Sequence, residues 1–80
     1  MFYLYILYSE NLNSYYVGVT ADMEERLKRH LSNHKGYTSK TKDWSIVYSE
    51  RFELKAEALV REKEIKKWKS KLMIQKLISS

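Results

Sequence analysis

The sequence predicts a small α+β fold, with a three-stranded antiparallel sheet flanked by helices in the order β-β-α-β-α-α. Three observations predict it. Two runs rich in aromatic and β-branched residues, Phe2–Tyr8 and Ser14–Thr20, are joined by a short polar turn, so they form an antiparallel hairpin. A third such run, Trp44–Phe52, follows a segment with helical periodicity. The remainder, from Leu54 onward, is rich in helix formers, and the chain has no proline. Its 80 residues show no linker, repeat or low-complexity stretch and read as a single domain, residues 1–80.

Each element has a local cause. Phe2–Tyr8 is apolar or aromatic at every position, the pattern of a strand covered on both faces. Residues 10–14 (Glu-Asn-Leu-Asn-Ser) supply the turn. Asp22 is a helix N-cap with Glu25 three residues on, and the helix runs to about Asn33 with Met23, Leu27 and Leu31 as its buried stripe. Asn33–Lys42 is a polar loop. In the third strand Ile46, Tyr48 and Glu50 alternate with Val47 and Ser49. A second helix spans Leu54 to about Lys67. The run Trp68-Lys69-Ser70 ends or bends it before a last segment whose apolar face is Leu72, Met73, Leu77 and Ile78.

With 15 Lys/Arg against 10 Asp/Glu, the net charge of +5 favours an anionic partner, nucleic acid ahead of an acidic membrane surface. The basic residues lie beside no continuous apolar face, which argues against a membrane-surface role. No run reaches the ~18 apolar residues of a membrane span, and no basic start precedes the first strand. A cytoplasmic location is expected. There is no cysteine, so no disulfide or thiolate metal site is available.

Polar groups at core positions carry the functional signal. At 100° per residue, Glu62 falls between Ala58 and Ile65, in an arc shared with Leu54 and Leu72, whereas Glu57 and Glu64 fall outside it. A carboxylate there needs a partner. Two readings stand: pairing with Arg26 or a rim lysine, or ligation of a hard cation such as Mg²⁺. His30 falls within the stripe of the first helix and Arg26 at its edge, one turn apart on the side facing the sheet. His30 reads as a core residue or a site residue. Tyr3 and Tyr5 share one strand face, and Tyr16 and Gly18 share a face of the next. Glycine inside a strand marks a bulge or a place of close approach, here for a phosphodiester.

Phenol, guanidinium, imidazole and a metal-binding carboxylate together suit phosphodiester hydrolysis. The metal would stabilise the leaving oxygen, Arg26 would clamp the nonbridging oxygens, and a tyrosine would position the attacking water. Which tyrosine acts, Tyr5 or Tyr16, stays open. His30 would bind the phosphate or relay the proton.

The tripeptides Tyr3-Leu4-Tyr5 and Tyr16-Val17-Gly18, followed by Arg26-Leu27, His30, Gly36-Tyr37-Thr38, Trp44, Val47-Tyr48, Glu62-Lys63 and Ile65-Lys66-Lys67-Trp68, resemble the signature of the GIY-YIG nuclease superfamily. The similarity is to its small free-standing bacterial group, related to the N-terminal nuclease domain of the bacterial excinuclease. Tyr3 stands where glycine is typical. The resemblance implies an endonuclease, a DNA-hydrolysing enzyme of repair or recombination that uses one Mg²⁺ or Mn²⁺ ion. By position, it implies Tyr5, Tyr16, Arg26, His30 and Glu62 as catalytic residues, with Glu62 as metal ligand. Gly18, Lys35, Tyr37, Lys40 and Lys42 are the expected substrate contacts. The Lys63–Lys71 stretch either adds phosphate contacts or is a solvated helix face. Family nucleases gain specificity from an appended DNA-binding domain, so a protein partner is expected to supply it here. The alternative is a basic nucleic-acid-binding or adaptor module that keeps the fold without efficient catalysis.

Overall fold

The computed structural model describes the backbone of residues 1–31 and 41–80, with the side chains of 1–28 and 41–80. Its elements are β1 (Phe2–Ser9), β2 (Ser14–Thr20), α1 (Met23–Leu31), β3 (Ser45–Phe52), α2 (Lys55–Trp68) and α3 (Lys71–Ser79). The sheet is antiparallel with strand order β2-β1-β3. The β-β-α-β-α-α order and the α+β class read from the sequence hold.

β1 is central, and its middle is buried on both faces. Leu4, Tyr5, Ile6 and Leu7 are each at most 2% exposed. Leu4 and Ile6 join Val17 and Ile65 in one core layer, which α2 and α3 cover through Trp68, Ile74 and Leu77. Tyr5 and Leu7 join Trp44 in the opposite layer, which α1 covers through Met23 and Leu27. Each such aliphatic side chain withdrawn from water contributes roughly 1.5–3 kcal/mol.

Three local expectations are corrected. The simple alternation in β3 fails at a β-bulge: Ile6 pairs with Tyr48 but Leu7 with Ile46, so Val47 is the extra residue. Val47 and Tyr48 therefore both pack on the Leu4–Ile6 layer, and Ile46 faces the other side. The long helix does not continue to Leu72. Lys69 adopts a left-handed conformation (φ 46°, ψ 31°), which ends α2, and the Ser70 hydroxyl then caps α3 by accepting from the Met73 N–H. This break resets the helical phase. Leu72 and Met73 turn to solvent and Ile74 joins Leu77 and Ile78 on the packed face. Leu54 precedes α2 and is also exposed, so only Ala58 and Ile65 form the buried stripe of α2. The end of α1 near Asn33, and the loop to residue 40, lie outside the described residues.

Two polar clusters tie the layers together. Arg61 of α2 donates from Nε and Nη2 to Glu50 of β3, donates from Nη1 to Glu64, and lies over the Trp68 ring. The Tyr48 hydroxyl donates to the same Glu50 carboxylate. Burial alone would raise the Glu50 pKa, but the bonds from Arg61 and Tyr48 outweigh it and hold the carboxyl below its usual value. The second cluster centres on Asp43. Its carboxylate accepts from the Ser9 hydroxyl, the Asn11 N–H and the Thr41 hydroxyl. These bonds dock the segment entering β3 against the end of β1 and so seat Trp44 in the core.

The Asp43 bonds, that from Ser9 foremost, lower its pKa to about 2. A depressed carboxylate contributes stability that is present above its unfolded value and lost as pH falls through its folded one. Urea midpoints of the parent should therefore fall between about pH 4 and pH 2. Asp43→Asn should lower the midpoint at neutral pH and weaken that acid dependence, leaving the part that Glu50 carries.

Candidate functional site

The hairpin register sets the site. Tyr5 pairs with Gly18 and Leu7 with Tyr16, so Tyr5, Tyr16 and Gly18 share a face. The Tyr5 and Tyr16 ring centroids lie 6.4 Å apart, and Tyr16 meets Trp44 edge-on at 6.4 Å. Gly18 marks no bulge, since the β1–β2 register is continuous through it. A Cβ at Gly18 would lie 2.5 Å from the Tyr5 Oη and 2.6 Å from its Cζ. The group that approaches this glycine is thus the Tyr5 phenol. It leans from the central strand across the neighbouring one and places its hydroxyl over β2.

α1 begins beside that strand. The Asp22 carboxylate accepts from the Glu25 N–H at 3.1 Å, the N-cap bond expected from the sequence. The Thr20 hydroxyl bridges the Asp22 N–H and carbonyl and fixes the turn into the helix. Arg26 follows within the first turn and is half-buried. It borders a pocket of about 270 Å³ shared with Thr20, Ala21, Asp22 and Glu25.

Glu62 arrives on α2, between the buried Ala58 and Ile65. Its side chain is 20% exposed and pairs with Lys66 at 3.2 Å, one turn on. The rim-lysine reading is therefore realised, and an exposed ammonium on a surface pair is a weak competitor for a cation or phosphate.

The Tyr5 hydroxyl feels the charges of the other candidates. Its pKa is raised, first by burial and then by the neighbouring Tyr16 hydroxyl. Arg26 opposes the rise and Glu62 adds to it. One phenol therefore lies within electrostatic reach of three other candidate residues from β2, α1 and α2. A guanidinium and phenol donors are the groups that bind a phosphate, and a carboxylate is the group that binds a hard cation.

The remaining candidates are less informative. The His30 side chain, Lys35, Tyr37 and Lys40 lie outside the described residues. Lys42 is exposed, next to the Asp43 cluster. Among the described residues no three His, Cys, Asp or Glu side chains gather as a metal cage. Sequence reasoning missed the hold of Tyr5 on Gly18, which only the strand register reveals. It also missed the Arg61–Glu50 tie, whose partners are far apart in the chain.

The chain matches the GIY-YIG catalytic domain over residues 1–77. It is 41% identical over 66 residues to a UPF0213 protein of Staphylococcus saprophyticus, covering 80% of this chain and 78% of that one. No solved structure matches it. Among the described residues no helix is long and apolar enough to cross a membrane.

Gly18→Ala should force Tyr5 from its place and cost about 1–3 kcal/mol, read by urea unfolding. In the parent, Tyr5 should ionise above the ordinary tyrosine value near 10 in a spectrophotometric titration. That late ionisation should move toward the ordinary range in Gly18→Ala.

Proposed function

The chain belongs to the GIY-YIG family, and from that premise we propose that it is a divalent-metal-dependent endonuclease hydrolysing DNA phosphodiester bonds. Domains of this family are nucleases in general, act on nucleic acid, and generally use a divalent metal. The observation that supports the finer reading is that Tyr5, Tyr16 and Gly18 share one face, the two rings 6.4 Å apart, where Arg26 and Glu62 act electrostatically on the Tyr5 hydroxyl.

The donor chemistry suits Mg²⁺ or Mn²⁺: one carboxylate, Glu62, with the other positions left to water and phosphate oxygens. A metal bound there supplies Lewis-acid stabilisation of the leaving oxygen. Arg26 presents a planar set of donors to the nonbridging oxygens, where negative charge grows in the transition state. Tyr5, buried and with its pKa raised, keeps its proton at neutral pH. It therefore serves as a donor that orients phosphate or water, anchored across Gly18. Tyr16, half-buried on the edge strand, is the better placed of the two to take the proton of the attacking water. His30 is assigned the phosphate contact or proton relay, with Lys35, Tyr37, Lys40 and Lys42 as further substrate contacts and a protein partner as the source of specificity.

One observation favours the second reading, a nucleic-acid-binding or adaptor module. Glu62 already has Lys66 as its counter-ion. In that case the chain would bind DNA with Glu62 acting only as a structural partner.

Nicking of supercoiled plasmid separates the two. With Mg²⁺ or Mn²⁺ the parent should nick, and Arg26→Ala and Glu62→Gln should each lose at least ~100-fold in rate. Tyr5→Phe should retain more activity than Tyr16→Phe, because an orienting donor is easier to replace than a proton acceptor. Binding without nicking in the parent would select the adaptor reading.

A further inference from the structure

Beside the candidate site lies a groove of about 380 Å³, between β2 and the α2–α3 junction. Its walls are largely apolar, formed by Tyr15, Val17, Ile65 and Ile74, and its rim carries Lys66, Lys69 and Lys71. β2 is an edge strand, so no further strand closes this side among the described residues. The left-handed turn at Lys69 splits α2 from α3 and thereby opens the groove's far end. Lys71 donates to the Asn13 carbonyl, which uses one of its three N–H groups and pins the rim to the β1–β2 turn.

The groove borders the site at Glu62. Lys66 lines the groove and also pairs with Glu62. Tyr16 belongs to the same strand as Tyr15, with its ring on the opposite face of the sheet against Tyr5. We propose that this groove receives an unpaired nucleotide of the substrate strand, adjoining the phosphate to be cut, with its base against Tyr15 and Ile74 and its phosphates on Lys69 and Lys71. Cleavage of that phosphate rests on the nuclease reading above; the binding itself does not.

The occupant follows from the lining. Apolar walls give nothing to a free phosphate, and three ammonium groups disfavour a neutral peptide. A nucleic-acid strand alternates flat apolar bases with anionic links, and it fills an apolar groove with a cationic rim. The bases of a duplex are hidden in its stack, so the groove selects a nucleotide that is unstacked.

Fluorescence anisotropy in EDTA tests this without cleavage. The probes are a labelled thymidine oligonucleotide, an abasic oligonucleotide of equal length and charge, and a matched duplex. The thymidine strand should bind about 5- to 100-fold tighter than the abasic strand, as expected for stacking of one base. It should also bind tighter than the duplex. Lys69→Gln/Lys71→Gln should reduce the salt dependence of single-strand binding by about 1.4 in log–log slope. In the unaltered protein, a 5-iodouridine strand should cross-link at Tyr15. Equal affinity for thymidine and abasic strands, or cross-links elsewhere only, would overturn the proposal. So would a poly-glutamate chain that competes as well as the oligonucleotide, which would give the groove to an acidic protein segment. A protein that binds as expected here yet fails to nick plasmid keeps the groove and loses the nuclease reading.

Discussion

The placement of the Tyr5 ring across Gly18 is the constraint on which the candidate site depends. A residue on the central strand is normally walled in by its neighbours. Here the missing side chain on β2 lets the phenol lie over the edge strand, where Arg26 and Glu62 act on its hydroxyl electrostatically. Arg26 comes from one layer and Glu62 from the other.

The layers are held in that relation by two polar ties of different kinds. Arg61 joins α2 to β3 by a bidentate ion pair, three-quarters buried, with Trp68 beneath it. Asp43 joins the segment before β3 to the turn after β1 by uncharged donors only. The first fixes the helix that carries Glu62. The second fixes Trp44, on which Tyr16 leans. Each cluster holds one wall of the candidate site.

Much of this is legible in the chain. The hairpin, the element order and the Asp22 cap follow from local patterns that the fold does not override. Glu62 is legible as an anomaly because Ala58 and Ile65 on either side are buried, and it is indeed half-buried. What the sequence hides is phase and register. The bulge at Val47 and the left-handed Lys69 each shift a periodic pattern by one step, so an unbroken period puts Ile46, Leu72 and Met73 on the wrong side. A lysine in a left-handed turn carries no mark in the sequence, as glycine would. Likewise, Gly18 announces a close approach, but only the register can say that the visitor is Tyr5.

The position of β1 has a consequence for how the protein comes into being. The central strand is synthesised before both of its neighbours, and one of them, β3, is among the later elements. The hairpin can form as soon as β2 emerges, but the other edge of β1 stays bare until Ser45–Phe52 has been made. That edge belongs to the most apolar stretch of the sequence and is a template for pairing with any other extended chain. Its lag makes nascent copies prone to associate with one another. The feature that makes the core sound once it is complete is therefore its weakest point on the ribosome.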